Sequence, residues 1–276
     1  EEIQRDMILN LPNSAGYSDS KGIFAARKAV MHYTQELGIR GVTLDDIYLG
    51  NGASDLISLA TNALLDEGDE LLIPMPDYPL WTATTSLSGG TPVHYLCDEE
   101  NGWQPDLDDI RAKITPRTRG IVIINPNNPT GRLIADDLLE EILRICREKN
   151  IALFVDECFL SLSDGGVDLT PPLSDFPQLF ILKAFTKSFG MAGLRLGYGL
   201  SADEALLRKM SAAVPPWNVS TLAQAAGVAA LGDAEFLEKN RTIIRAERPW
   251  LEEKLRKFGF WVCPSQVNYI LFRGDV

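Results

Sequence analysis

The sequence predicts an α/β fold, in which a mostly parallel sheet carries helices on both faces. Apolar runs such as GIVIIN at residues 120–125 and IALFVD at residues 151–156 show no polar alternation, which is typical of strands buried on both faces. Each such run is followed by a segment with helical periodicity, as parallel strands with helical crossovers require. With 276 residues, 45% of them hydrophobic, the chain can bury a large core.

The predicted strands are the short apolar runs, taken in chain order. They lie at residues 70–74, 92–96, 120–125, 151–156, 179–183 and 195–200. Helical periodicity separates them, at residues 55–65, 77–87, 107–114, 135–149 and 203–213. Ligands of such sheets bind at the carboxyl ends of the strands, so unusual residues at those ends are the first candidates for a site.

The sequence pattern divides the chain into three parts. Residues 1–14 open in helical sequence and are interpreted as part of an N-terminal helix, and residues 15–235 are expected to form one large domain. Residues 236–276 contain most of a long polar helix, followed by FGFWVCPSQVNYILF, which reads as a strand, a turn and a strand. We expect these last residues to form a small, incomplete α+β domain.

Charge and composition exclude several classes of function. The net charge of −12 and the pI near 4.7 argue against a surface that binds nucleic acid or an anionic membrane. No apolar run approaches the length of a membrane span, and no signal-peptide pattern opens the sequence. The four cysteines are scattered without a CxxC pair, and the two histidines are too few for a multi-histidine site, so we predict no metal site. A reducing cytoplasm is the expected location.

Two segments at predicted strand ends offer ambiguous binding features. GNGASDLI at residues 50–57 opens a helical pattern, where free backbone N–H groups and the Ser54 hydroxyl can hold an anion. Taken alone, this segment is better explained as an ordinary helix N-cap. PMPDYPLW at residues 74–81 holds Tyr78 stiffly between prolines. That tyrosine is suited to stack on a planar ligand, and a core tyrosine is an equally good explanation.

Two further strand ends are more informative. NPNNPTG at residues 125–131 has three asparagines where a simple turn needs one, and Asn128 can donate its amide to a ligand oxygen. Asp156 ends an all-apolar strand, where a carboxylate is costly unless it is paired, for example with a protonated ring nitrogen. The alternative for Asp156 is a helix cap or a structural ion pair, and the neighbouring Glu157 fits those structural roles better.

The stretch LKAFTKSFGMAGLRLGYGL at residues 182–200 carries the strongest chemical signal. An imine-forming lysine must be able to lose its proton, and an apolar, desolvated setting favours that loss. Lys187 beside Thr186 lies among small residues that allow a ligand to approach, and Arg195 suits a phosphate. Lys183 reads as strand-end structure, with a surface lysine as the plain interpretation. Together these features describe pyridoxal 5′-phosphate, a planar ring with a phosphate, a basic nitrogen, a phenolic oxygen and an aldehyde.

These motifs resemble the class I and II aminotransferases, which are pyridoxal-phosphate-dependent enzymes of fold type I. NPNNPTG, VDE and FTKSFGMAGLRLGYG occur in that order, and the resemblance covers essentially the whole chain. Residues 17–131 are most similar to bacterial alanine aminotransferases. Residues from 151 onward are more similar to threonine-phosphate decarboxylases and histidinol-phosphate aminotransferases.

The resemblance implies a role for each candidate residue. Lys187 would form the internal aldimine and move the proton between Cα and C4′, and Asp156 would keep the ring nitrogen protonated. Tyr78 would stack on the ring opposite Cys158, and Asn128 would hold the ring oxygen. The phosphate would be surrounded by Ala53, Ser54, Thr186 and Arg195. Tyr17 matches a tyrosine that reaches the phosphate of the neighbouring subunit, which implies a homodimer with shared active sites.

The sequence departs from the family pattern in three places. Phe159 replaces a tyrosine that usually binds the ring oxygen, a feature shared with the decarboxylase-like relatives. The segment that closes over the substrate would precede Glu1, and the arginine that binds the substrate carboxylate would follow Val276. If residues 1–276 were the whole molecule, we would expect poor substrate binding.

Three functions stay open at this point. The preferred one is an aminotransferase that moves an amino group between an α-amino acid and a 2-oxo acid by a ping-pong mechanism. The second is a decarboxylase of a phosphorylated amino acid, of the threonine-phosphate type. The third is a protein of this fold in which catalysis is impaired.

Overall fold

A computed structural model of the chain describes residues 1–165 and 173–274. Eight strands form the main sheet: β1 (Ile47–Gly50), β2 (Glu70–Met75), β3 (Thr91–Asp98), β4 (Gln104–Pro105), β5 (Thr118–Ile124), β6 (Ala152–Asp156), β7 (Leu179–Ala184) and β8 (Gly197–Ser201). Their spatial order is β1-β8-β7-β6-β5-β2-β3-β4. Neighbours from β3 to β7 are parallel, whereas β8 is antiparallel to β7 and β1, and β4 is antiparallel to β3. The predicted mostly parallel sheet is confirmed.

Helices cover both faces of this sheet. They are α1 (Glu2–Asn10), α2 (Phe24–Glu36), α3 (Ala53–Leu64), α4 (Leu80–Leu87), α5 (Leu107–Lys113), α6 (Asp136–Lys149), α7 (Phe185–Ser188), α8 (Glu204–Ala213), α9 (Thr221–Leu231) and α10 (Ala234–Lys257). None of the helices in the described part of the chain combines the length and apolarity needed to cross a membrane.

Residue alternation along the central strands explains why the apolar runs carry no polar positions. In β6, Leu153 and Val155 pack into one hydrophobic core, while Phe154 packs into the core on the opposite face. In β5, Ile121 and Val122 divide between the two cores in the same way. Because successive strand side chains point to opposite faces, a sheet covered on both sides needs apolar residues at every position.

Several elements differ from the sequence prediction. The last predicted strand, 195–200, begins only at Gly197, because Arg195 adopts a left-handed conformation with φ of 54° that no strand can continue. Strand β1 was not predicted because its four residues are too few for a periodicity signal. Helices α2 and α9 were also missed, and α9 is so uniformly small and apolar that it has no polar face to define a period.

The segment after α10 packs onto the asparagine-rich loop. It contains β9 (Trp261–Val262) and β10 (Phe272–Arg273), which pair antiparallel as two-residue strands. Gln266 binds the loop twice, donating its N–H to the carbonyl of Gly131 at 2.9 Å and accepting from the N–H of Leu133 at 3.0 Å. A Cβ at Gly131 would meet the Ser265 Oγ at 2.4 Å, so this packing requires glycine. Residues 275 and 276, the end of the predicted small domain, lie outside the described residues.

Candidate active site

A cleft of about 390 Å³ opens at the carboxyl ends of β5, β6 and β7. Nine of the ten residues singled out from the sequence line it: Ala53, Ser54, Tyr78, Asn128, Asp156, Cys158, Thr186, Lys187 and Arg195. The tenth, Tyr17, lies elsewhere in this chain. Because the lining residues come from several distant parts of the sequence, the cleft is a product of the sheet topology and its strand ends.

Asp156 forms the buried floor of the cleft. Asp156 is only 6% exposed and is the last residue of β6. Burial raises the pKa of its carboxyl group, while hydrogen bonds from Cys158 and Trp81 oppose that rise. A buried carboxylate with two donors retains acceptor capacity, so Asp156 can bind a further N–H donor in the cleft.

Trp81 is a site residue that the sequence analysis missed. Its Nε1–H donates to Asp156 Oδ2 at 3.3 Å, and the indole is fully buried in α4. The Cys158 backbone N–H donates to the other carboxylate oxygen at 3.1 Å. The PDYPLW motif contains Trp81, but only the fold reveals its contact with a residue 75 positions away. Asp156 is therefore oriented from two sides.

Cys158 contributes a neutral thiol to the cleft. Burial raises the pKa of that thiol well above its ordinary value, and the charge of Asp156 raises it further. All four cysteines lie in the described part of the chain, and each is a free thiol.

Lys187 lies at the mouth of the cleft, in the short helix α7 that follows β7. Its Nζ is 5.6 Å from the centroid of the Phe159 ring. The sequence analysis expected an apolar, desolvated setting for Lys187, and that expectation is wrong for the single chain, in which Lys187 is exposed. The short helix ends at Ser188, one residue after this exposed, cleft-lining lysine.

One end of the cleft is suited to an anion. Helix α3 begins after Gly52, which has φ of 84° and provides no side-chain cap, so backbone N–H groups at this helix start need another acceptor. A Cβ at Gly52 would lie 2.7 Å from Arg195 Nη2, so only glycine lets the guanidinium approach this turn. Arg195 itself donates from Nη1 to the carbonyl of Ala192 at 3.2 Å. Together, the helix start and the guanidinium form a cationic pocket end.

The three asparagines of NPNNPTG have separate positions. Asn125 accepts from the N–H of Ile134 at 3.0 Å, which fixes the start of the loop. Asn127 donates to the carbonyl of Pro76 at 3.0 Å and accepts from Thr130, which holds the loop against the turn after β2. Asn128 lines the cleft. The hydrogen bonds of Asn125 and Asn127 are structural, and they explain why a simple turn sequence would not suffice here.

Tyr269 is a second residue that the sequence analysis did not single out. Its hydroxyl donates to the carbonyl of Asn127 at 2.8 Å, and its ring meets Phe159 edge-on at 4.9 Å between centroids. Burial raises the pKa of this tyrosine, and the charge of Asp156 raises it further. Phe159 is thus packed between Tyr269 and Lys187, where it presents an apolar surface to the cleft.

Tyr17 lies on the outer surface. It is 81% exposed and stacks on Trp217 with 3.9 Å between ring centroids and 17° between planes. Trp217 has φ of 57°, a left-handed conformation that is rare for an aromatic residue. The next residue, Asn218, donates to Asp55 at 2.6 Å, so this aromatic pair is connected to the first turn of α3.

The interpretation of Lys183 as a surface lysine is wrong. Lys183 lies within β7, and its Nζ is 2.7 Å from Glu157 Oε2. The two side chains are only 10% and 1% exposed, respectively. Glu157 therefore has the structural ion pair that the sequence analysis assigned to it, with a partner that was not foreseen.

Comparison with known proteins gives a consistent match. The family model described as aminotransferase class I and II matches residues 1–274. The chain is 53% identical over 200 residues to the glutamate-pyruvate aminotransferase AlaA of Escherichia coli (strain K12), covering 72% of this chain and 49% of that protein. It is 33% identical over 238 residues to histidinol-phosphate aminotransferase 2 of Carboxydothermus hydrogenoformans, covering 85% of this chain and 64% of that protein.

A solved structure supports the same match. The alanine aminotransferase from Pyrococcus furiosus superposes with a TM-score of 0.88 and 32% identity, covering 100% of this chain and 73% of that one. The chain spans about half the length of the Escherichia coli relative, which is 49% covered.

Proposed function

The chain belongs to the class I and II aminotransferase family, and from that premise we propose that it catalyses transfer of an amino group between an α-amino acid and a 2-oxo acid with pyridoxal 5′-phosphate as cofactor. The observation that carries this proposal is the convergence of Lys187, Asp156 and Arg195 on one cleft. These three side chains supply an amine, a buried carboxylate and a fixed cation, each at a different part of the cavity wall.

The residues of the cleft fit the cofactor at each end. Gly52 leaves room for Arg195 beside the start of α3, and this cationic end suits the phosphate. Asp156 has acceptor capacity at the floor and would accept a hydrogen bond from a protonated ring nitrogen. Asn128 would donate to the ring oxygen, and Tyr78 would provide an aromatic face for the ring. When bound, the cofactor supplies an electron sink that stabilises negative charge at the substrate Cα.

The chain's own groups then carry the proton chemistry. Lys187 would take the proton from the substrate Cα in one half of the reaction and return a proton to Cα in the other half. Asp156 would pair with the ring nitrogen; burial raises the pKa of its carboxyl group, and the N–H donors of Trp81 and Cys158 oppose that rise. The neutral Cys158 thiol adds no competing charge. The first substrate leaves as a 2-oxo acid before the second one binds, which is a ping-pong mechanism.

A lysine substitution tests the proposal directly. Lys187→Ala should abolish both transamination and the visible absorbance of the bound cofactor, measured on purified protein with alanine, glutamate and 2-oxo acids. Lys149→Ala is the matched control, because Lys149 ends α6 on the exposed surface and does not line the cleft. Retention of absorbance and turnover in Lys187→Ala would refute the assignment.

We further propose a cytoplasmic homodimer in which Tyr17 reaches the cofactor phosphate of the partner. The support is an exposed aromatic pair, Tyr17 stacked on Trp217, whose residues are 81% and 52% exposed. Four free cysteines favour a reducing compartment. Sedimentation should give a dimer, and Tyr17→Phe should weaken cofactor binding several-fold without changing the dimer, since it removes one hydroxyl only.

A second candidate is decarboxylation of a phosphorylated amino acid. The specific observation is Phe159, which places an apolar edge where the family usually has a hydroxyl that binds the ring oxygen. The two reactions differ in the bond that breaks at Cα. Release of carbon dioxide without a 2-oxo acid, in a screen over amino acids and their phosphate esters, would favour decarboxylation over transamination.

A further inference from the structure

The buried ion pair between Glu157 and Lys183 lies directly behind the cofactor cleft. Glu157 follows Asp156 at the end of β6, and Lys183 precedes Lys187 by four positions at the end of β7. The Glu157 N–H also donates to the carbonyl of Leu182 at 2.9 Å. The pair therefore links the end of β6, where Asp156 lies, to the end of β7, which leads into α7 and Lys187.

Fold stability alone is a weak reason for such a pair. Removing two charges from water costs about as much as their attraction returns, and apolar residues of similar size often stabilise such a site as well or better. The surrounding sheet is built from such apolar residues, for example Phe180 and Leu182 in the same strand. A charged pair kept in this position therefore indicates a role other than filling the core.

The pair occupies the opposite side of the strand ends from the cofactor. It lines a separate cavity of about 70 Å³, and Ala184 is the residue that lines both this cavity and the cofactor cleft. Alternation along β6 places Asp156 towards the cleft and Glu157 away from it. A single layer of backbone thus separates the ion pair from the cofactor position.

The two charges of the pair have opposite effects on the pKa of a group in the cleft. The pKa of the Cys158 thiol, which lines the cleft, is lowered by the charge of Lys183 and raised by that of Glu157. With both charges present, the two effects oppose each other. Among the described residues, the other titratable or charged groups around the pair and the cleft are Tyr33, Tyr198, Arg241, Asp156, Tyr269, Lys187, Tyr78 and Arg195.

We infer that Glu157 and Lys183 are positioning residues for the cofactor, which hold the ends of β6 and β7 in register while contributing balanced charge behind Asp156 and Lys187. This inference rests on the proposed cofactor site, and it goes further by assigning a role to two residues, neither of which lines the cleft. Positioning acts through the tie between the ends of β6 and β7. The electrostatic effect arises because the opposite charges of Glu157 and Lys183 largely cancel at the cleft.

The test uses the pH dependence of the absorbance of the bound cofactor in the reconstituted full chain. Glu157→Gln leaves the positive charge and should lower the apparent pKa of this absorbance, whereas Lys183→Met leaves the negative charge and should raise it. Each shift should be roughly 1 pH unit, the size expected for one charge about two strand spacings, or roughly 10 Å, away at an effective dielectric constant near 20. Lys183→Arg keeps the charge and should restore the wild-type value.

A double variant separates charge from folding. Glu157→Gln with Lys183→Met removes both charges, so the apparent pKa should return to within roughly 0.3 unit of wild type. The dissociation constant for pyridoxal phosphate, followed by fluorescence, should still rise several-fold, because the strand ends are no longer tied. If the single variants fail to fold, this double variant still decides: unchanged cofactor affinity would overturn the inference. Shifts in one direction, or no shifts, in the folded single variants would also overturn it.

A matched control variant and the wild type distinguish failure of this inference from failure of the proposed function. Arg119→Gln breaks the Arg119–Asp69 pair of 2.7 Å at the start of β5 and should leave the apparent pKa and the cofactor affinity unchanged. A wild-type chain that binds no pyridoxal phosphate would instead refute the proposed function. If the wild type binds the cofactor normally but Arg119→Gln shifts the apparent pKa of its absorbance, the loss of any ion pair has this effect. That result would overturn the inference.

Discussion

The contact between Trp81 and Asp156 predicts a pH-dependent loss of stability in Trp81→Phe. The substitution keeps an aromatic ring in the core but removes the Nε1–H that donates to Asp156 Oδ2 at 3.3 Å. A hydrogen bond to a charged group contributes about 1.5–3 kcal/mol, and this one is at the long end of the normal distance range. We therefore expect a loss of about 1–2 kcal/mol from this bond when Asp156 is ionised.

The sign of the pH dependence follows from the pKa of Asp156. Burial already raises this pKa in the folded state, and the Trp81 hydrogen bond opposes the rise, so removing the bond raises the pKa further. A carboxyl group whose folded pKa exceeds the unfolded value of about 3.9 binds more protons when folded, so stability falls as pH rises through the interval between the two values. The extra loss in Trp81→Phe is thus small near pH 4 and complete above the folded pKa.

Urea unfolding of the cofactor-free protein from about pH 4.5 to pH 8 measures this difference. The smaller volume of phenylalanine costs stability equally at every pH, so it adds a constant. Tyr95→Phe is the matched control: it removes a buried hydrogen bond of 2.8 Å to the neutral carbonyl of Val122 and should cost about 1 kcal/mol at every pH. A Trp81→Phe loss that does not grow with pH would refute the account of Asp156.

Two other substitutions test the ends of the site. Gly52→Ala should weaken pyridoxal phosphate binding at least about tenfold in calorimetry, because its Cβ would lie 2.7 Å from Arg195 Nη2 at a left-handed position; the same affinity as wild type would contradict the proposed phosphate end. Tyr269→Phe should lower the free energy of unfolding by about 1 kcal/mol, since it removes the 2.8 Å bond to the Asn127 carbonyl; an unchanged urea midpoint would show that this bond does not anchor the C-terminal segment to the loop.

The predictable part of the site consists of residues that look unusual against their own local sequence. Asp156 stands out because it ends an apolar strand, and Arg195 because a cation lies among glycines and small apolar residues. Strands β5 and β6 could be located for a similar local reason, since residues 121–124 and 152–155 are uninterrupted apolar runs.

The missed features depend on contacts across the fold. Trp81 is an ordinary core residue in its own helix and becomes functional through a partner 75 positions later. Lys183 at a strand end fits a surface lysine equally well until β6 brings Glu157 beside it. The exposure of Lys187 likewise depends on how short α7 is and on what packs above it. Pairing partners and burial are set by tertiary packing, which local patterns do not encode.

The central claim is that Lys187, and not Lys183, is the amine that holds pyridoxal phosphate in this cleft. Borohydride reduction of the reconstituted protein fixes the cofactor covalently to its lysine, and peptide mass spectrometry then locates the modified residue. We predict a single phosphopyridoxyl group on Lys187, with Lys183 unmodified in its ion pair with Glu157. Modification at Lys183, or no modification of either lysine, would contradict the account.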